Sequence, residues 1–142
     1  LLVQETVQEL QKITTSHKFI LKGKVTEEIY ADRDRITQVL SNLITNAVKY
    51  SPDAKKVIIS LTKGKNVIQV AVQDFGIGID HKEQQKLFER YFQVDQPNQQ
   101  SFSGLGLGLY LSKEIIDQHN GEIWLESEKG KGSTFYFTLP RK

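Results

Sequence analysis

The chain has 142 residues, room for one hydrophobic core and too few for two ordinary domains. A hydrophobic share of 38% and a charged share of 25% belong to a globular protein, and no run of about 18 apolar residues is present to cross a bilayer as a helix. With a net charge of +2 and its cations interspersed among acids, the chain carries no electrostatic footprint for nucleic acid; with no cysteine it forms no disulfide and no thiolate metal site.

Cysteine-free composition suits a reducing cytosol, where the chain is expected to act. The first residues, LLVQETVQELQ, lack a basic segment and a small-residue cleavage site. They read as a helix continuing from something longer, with Leu2, Val3, Val7, Leu10 and Ile13 at helical spacing. Residues 17–24 and 28–31 look extended around a polar turn, which predicts a hairpin. Asp32 is placed to cap a long helix that runs to Tyr50, where Ser51 and Pro52 end it. Strand-like runs at 57–63 and 67–74 meet at Gly64, Lys65 and Asn66, a second hairpin.

Beyond Gly76 and Gly78 a short helix is expected through Leu87, Phe88 and Tyr91. A loop without apolar periodicity follows over 93–103. A helix from about Leu107 to His119 closes at Asn120 and Gly121, and strands at 122–126 and 133–139 flank a turn at 129–132. The mixture lacks a regular strand–helix alternation. The expected fold class is therefore α+β: a two-layer sandwich whose mixed, mostly antiparallel sheet of about five strands carries three main helices on one face.

The long helix carries two stripes. Ile36, Val39, Leu40, Leu43, Ile44 and Ala47 form a core face, while Asn42, Asn46 and Lys49 share another at i, i+4, i+7. Mid-helix asparagine costs a few tenths of a kcal/mol relative to alanine. Two such amides are either a solvated face or a ligand stripe, in which carbonyl oxygens meet a hard cation and the ammonium meets phosphate.

Asp74-Phe75-Gly76-Ile77-Gly78-Ile79 comes directly after a strand, so a carboxylate sits beside a tight turn. Such a carboxylate can accept from an exocyclic amine, and the absent β-carbons at Gly76 and Gly78 would let a planar base approach the backbone; the segment is equally readable as a plain turn. Gly104-Leu105-Gly106-Leu107-Gly108-Leu109 leads into a helix, where free backbone N–H groups make an anion site. Neither cluster is a dinucleotide fingerprint, since the third glycine would fall at His81 or at Leu109, and no P-loop motif occurs.

Taken in order, Asn42 to Ser51, Asp74-x-Gly76-x-Gly78, Phe88-Glu-Arg90-Tyr-Phe92 and Gly104 to Leu109 resemble the N, G1, F and G2 boxes of sensor histidine kinases. The closing run Gly132 to Pro140 looks like that family's last strand. The resemblance covers nearly the whole chain and implies a Bergerat-type ATP site of the GHKL superfamily. On it, residues 1–142 form one catalytic and ATP-binding domain, with residues 1–16 linking from a dimerisation and phosphoacceptor domain absent from this chain.

The resemblance implies ATP and Mg²⁺ as cofactors. Asn46 corresponds to the Mg²⁺ ligand, Asn42 stands beside it near the phosphates, Lys49 pairs with phosphate and Tyr50 stacks on adenine. Asp74 accepts from the adenine amino group, in a pocket shaped by Gly76, Gly78 and Ile79. Arg90 approaches the terminal phosphate; with Asn42 and Lys49 it makes up the implied catalytic set. Gly104, Leu105, Gly106, Leu107 and Gly108 present the backbone to the phosphates, and residues 93–103 close as a lid. Leu105 replaces the hydroxyl residue common in the last box, which removes a side-chain contact to phosphate and keeps the backbone ones.

Histidine phosphorylation depends on in-line positioning and charge neutralisation more than on a strong base. The superfamily's ATPases activate water with a glutamate one helical turn before the metal asparagine, and here that position is Asn42. Phosphoryl transfer is therefore favoured over hydrolysis; the alternatives are an ATPase or serine kinase on the same fold, or a nucleotide-binding module without catalysis. His17, His81 and His119 lack the acidic, arginine-containing helical context of the family's phosphoacceptor. The chain is expected to bind ATP, not to phosphorylate itself, and to be a monomer. Its expected partners are the parent kinase's acceptor domain and, indirectly, a response regulator receiver. Trp124, Phe88 and Phe92 read as packing residues, and 126–131 as a solvated turn.

Overall fold

The computed structural model describes residues 2–25, 29, 31–84, 86–88 and 108–141. Its organising element is helix α2 (Arg33–Lys49), which follows helix α1 (Leu2–Ile13) and strand β1 (Lys18–Lys22). Asp32, in an extended conformation, starts α2: its carboxylate accepts the amides of Asp34 at 3.1 Å and Arg35 at 3.2 Å, two of the donors a helix start leaves unpaired. The six apolar residues of the expected core face are the six buried residues of α2. Burying each larger one contributes roughly 1.5–3 kcal/mol, so this stripe sets how the helix rolls onto the sheet.

Strands β2 (Lys56–Lys63) and β3 (Val67–Asp74) form the expected hairpin, with Asn66 at φ 60° and the Gly64 amide donating to the Val67 carbonyl at 2.9 Å. A short helix α3 (His81–Gln84), helix α4 (Gly108–Gln118) and strands β4 (Ile123–Glu128) and β5 (Gly132–Pro140) complete the chain. The sheet order is β1-β2-β3-β5-β4, antiparallel except for β1 against β2. Phe19, Val57, Ile59, Val70, Val72, Phe135 and Phe137 meet the buried side of α2 in one core, with Val7 of α1 and Ile115 and Ile116 of α4.

Three expectations need correction. The expected hairpin of β1 with 28–31 is not borne out among the described residues: Ile29 and Ala31 lie in no strand, and β1 pairs in parallel with β2, from Lys18 opposite Lys56 to Lys22 opposite Ser60. Parallel neighbours need a crossover, and α2 supplies it. Ile13, expected on the apolar side of α1, is 79% exposed because the helix ends there and the chain turns toward β1. The helix after the glycine turn stops at Gln84; residues 86–88 form a turn that sets Phe88 edge-on to Phe135, with ring centroids 6.5 Å apart. Trp124 packs as expected, stacked on Tyr136 at 5.2 Å.

Candidate functional site

The second stripe of α2 lies away from its buried face, with Asn42, Asn46, Lys49 and Tyr50 all half-buried. Asn42 joins the helix to the start of α4: its Nδ2 donates to the Gly108 carbonyl and to Ser112 Oγ, both at 3.3 Å. A carbonyl can only accept, which fixes the amide's orientation and turns its oxygen away from that contact. Eight residues further on, Tyr50 closes the helix, its amide donating to the Asn46 carbonyl at 2.9 Å. Burial, and after it the negative charge of Glu83, holds the Tyr50 phenol above its ordinary pKa, so the ring stays neutral.

Asp74 ends β3 on the inward side of an alternating strand and is only 2% exposed. Its Oδ1 accepts the amides of Gly76 at 3.0 Å and Ser133 at 3.2 Å. Burial pushes the carboxyl up to about 6, against the pull of those two donors and of His17 toward the charged form. A carboxylate this deep, with two backbone donors on one oxygen, is costly to keep unless something else needs it.

The glycines of the turn are also required by the protein's own packing. A β-carbon on Gly76 would stand 1.9 Å from the Tyr50 carbonyl oxygen, and one on Gly78, at φ 71°, would stand 2.1 Å from that of Glu128. The protein's own backbone fills both spaces. The Ile77 amide donates to the Tyr50 carbonyl at 3.1 Å, so the turn is bonded directly to the exit of α2. Ile79 is buried, and its amide donates to Ser127 Oγ at 2.8 Å.

Sequence reading missed several residues around this turn. Ser127, in the run taken for a solvated turn, lies in β4 and links Ile79 to Ser133 Oγ at 2.7 Å and to the Gly132 carbonyl at 3.1 Å. Gln84 adds bonds from its Nε2 to the carbonyls of Ile79 and Ser127, at 2.8 and 3.0 Å. His17 is 5% exposed, with Nε2 at 2.7 Å from the Ser51 carbonyl. A serine within an acidic loop has no distinguishing local pattern, whereas an isolated histidine before a strand could have been flagged as buried.

The structure thus joins α2 to the start of α4 at Asn42 and to the turn after β3 at Tyr50. Arg90, Gly104, Leu105, Gly106, Leu107, Phe92 and the expected lid at 93–103 lie outside the described residues. A cavity of about 260 Å³ sits elsewhere, among Leu2, Val3, Ile36, Val70 and Phe137, and the one cation in its mostly apolar lining, Arg33, is paired with Glu5. Among the described residues no cluster of three histidines or acids could hold a metal, and no helix is long and apolar enough to cross a membrane.

In sequence and in fold the chain is similar to known proteins. The family described as histidine kinase-, DNA gyrase B-, and HSP90-like ATPase matches residues 31–142. The sensor histidine kinase WalK of Bacillus subtilis (strain 168) is 37% identical over 140 residues, covering 96% of this chain. The chain spans only 23% of that relative's length. The catalytic domain of histidine kinase ThkA superposes with a TM-score of 0.80 at 29% identity, over 99% of this chain and 92% of its own. Full-length ShkA in complex with AMPPNP gives a TM-score of 0.82 at 23% identity, over 99% of this chain and 29% of its own, a likeness of fold.

Proposed function

From a chain that belongs to the histidine kinase-, DNA gyrase B-, and HSP90-like ATPase family, we propose a specific job: it is the ATP-binding catalytic domain of a two-component sensor kinase. It transfers the γ-phosphoryl group to a histidine on a separate dimerisation domain, for relay to a response regulator. A single relationship carries this reading. Helix α2 is bonded to the α4 start at Asn42 and to the Asp74 turn at Tyr50, eight residues or about 12 Å of helix axis apart, which separates a phosphate end from a base end.

At the base end, Oδ1 of Asp74 is anchored to backbone, and Oδ2 is the oxygen that accepts from the adenine amine. Tyr50 supplies a neutral ring as a stacking surface, and Gly76, Gly78 and Ile79 hold the wall of the pocket. Lys49, next to Tyr50, extends its long stem toward the phosphates and neutralises charge as a point cation. Gly108 opens α4, whose unpaired first amides favour an anion; Gly104, Leu105, Gly106 and Leu107 extend that cradle and Arg90 supports the terminal phosphate.

The residues present fit Mg²⁺. This ion takes oxygen ligands, keeps several waters and relies on substrate phosphates rather than an all-protein cage, so one amide oxygen from Asn46 is sufficient, with Asn42 beside it. When bound, the ion offsets the charge on the transferring phosphoryl group. The chain's own residues then position the nucleotide for in-line attack and exclude water. With Asn42 where a water-activating glutamate would stand, that position supplies no general base, as transfer to a neutral imidazole allows.

The domain is proposed to span residues 1–142, to work in the cytoplasm as part of a longer kinase, and to be a monomer when separated from it. The test is a purified chain titrated with AMPPNP, then incubated with ATP alone and with an acceptor domain. Saturable binding with phosphoryl transfer only when the acceptor is present is expected. Sustained phosphate release without an acceptor would make it an ATPase, and no binding would remove the nucleotide site.

A further inference from the structure

Two polar side chains ahead of the family-matched stretch are tied to the base end of the site, His17 directly and Gln11 through the loop that carries His17. Gln11, on α1, holds the loop into β1 at three points: Oε1 accepts the Phe19 amide at 2.8 Å, and Nε2 donates to the carbonyls of Thr14 at 3.1 Å and His17 at 3.0 Å. His17, fixed by that loop, is buried against the exit of α2. Its Nε2 faces a carbonyl, which can only accept, so this nitrogen carries a proton and donates to Ser51 O at 2.7 Å and to Ser51 Oγ at 3.1 Å. Nδ1 lies 2.8 Å from Ser16 Oγ.

Ser51 is fully buried, and its hydroxyl donates to the Ala47 carbonyl at 2.5 Å. The helix exit is therefore held by a side chain on its own strand of backbone and by an imidazole from outside it. Directly before Ser51 stands the Tyr50 carbonyl, which accepts the Ile77 amide, and the Ser51 Cα stands 2.6 Å from where a β-carbon on Gly76 would be. From Gln11 to Asp74 there is thus an unbroken series of hydrogen bonds and backbone contacts: α1, His17, Ser51, Tyr50, the glycine turn and the buried carboxylate. His17 also draws Asp74 toward its charged form, the form that accepts from an amine.

We infer that Gln11 and His17 are positioning residues for the base end of the nucleotide site, holding the exit of α2 so that the turn at Gly76 and Ile77 keeps Asp74 and Tyr50 in register. This rests on the nucleotide reading proposed above. It makes the placement of α1 a determinant of purine binding, and it assigns a role to two residues, Gln11 and His17, that lie outside the family match at 31–142.

Calorimetric titration of the chain with AMPPNP and, separately, with tripolyphosphate tests the assignment, because tripolyphosphate has no base. His17→Phe is expected to weaken AMPPNP about tenfold and leave tripolyphosphate within about twofold, the size of effect that loss of a buried hydrogen bond produces. His17→Gln places an amide Nε2 at the reach of the imidazole Nε2 and is expected to restore AMPPNP binding to within about threefold. AMPPNP affinity unchanged in His17→Phe, or an equal loss for both ligands, overturns the inference. If His17→Phe does not fold, Gln11→Ala, expected to weaken AMPPNP about threefold and to spare tripolyphosphate, is read by the same rule. A native chain that binds neither ligand overturns the nucleotide reading itself, and this inference with it.

Discussion

The carbonyl of Tyr50 accepts the amide of Ile77 at 3.1 Å, a bond that ties the residue capping the long helix to a turn on the far side of a hairpin. The same carbonyl oxygen occupies the space of a Gly76 side chain. Whatever loosens this contact moves the turn after β3 relative to α2.

Gly76→Ala is expected to destabilise the fold by about 1–3 kcal/mol, because the atoms in its way are backbone and cannot rotate aside. A urea midpoint equal to that of the native chain would contradict the packing described. Nucleotide affinity should fall with it.

Asp74 sets stability against binding. Its folded carboxyl pKa is raised from 3.8 to about 6, so the folded chain holds this proton more tightly than the unfolded chain does. Stability from this group therefore declines as pH rises from about 4 to about 6, and the penalty, about 3 kcal/mol, is fully present above that. Asp74→Asn keeps an oxygen for the Gly76 and Ser133 amides and removes the charge. It is expected to raise Tm at pH 8, with the gain shrinking toward pH 4.5, and to abolish AMPPNP binding. Thermal melts across that range check the first part, and undiminished binding would remove the adenine role.

In the native chain, AMPPNP affinity should drop as pH falls below about 6, as Asp74 takes up its proton. Titrations at pH 5 and pH 7.5 would establish it, and equal affinity at the two would remove the charged Asp74 as the acceptor.

Asn46→Ala is expected to remove the dependence of AMPPNP binding on Mg²⁺ while changing Tm little, since the side chain is half-buried on an outer stripe. Titrations with Mg²⁺ and with EDTA should then give the same affinity. A persistent metal dependence would place the ion elsewhere.

Ser127→Ala leaves the Ile79 amide without its acceptor beside a buried side chain, and should cost about 1–2 kcal/mol. Chemical denaturation measures it directly. A neutral outcome would mean that the Gln84 contacts alone hold this corner.

Much of the fold was legible because its signals are local. The core stripe of α2 needs only a 3.6-residue period, β3 alternates inward and outward along its length, and Asn66 marks its own turn by adopting a left-handed conformation. The β1 assignment failed at a non-local step: extended residues followed by polar ones look like half of a hairpin, and nothing nearby shows that the partner is β2, beyond a helix. At Gly76 and Gly78 the structure adds a packing constraint that the sequence does not show. Their neighbours are the backbones of Tyr50 and Glu128, far away in the chain.

Residue order and spacing were enough to establish the family, the long helix with its amide stripe and the candidate ligand residues, since periodicity and motif spacing are properties of short stretches. Folding in three dimensions decided how those stretches meet: that Asn42 grips the start of α4, that Asp74 is buried with a raised pKa, and that His17 reaches a serine 34 residues away. Burial and hydrogen-bond geometry arise only when distant segments close on one another, so no local pattern could have specified them.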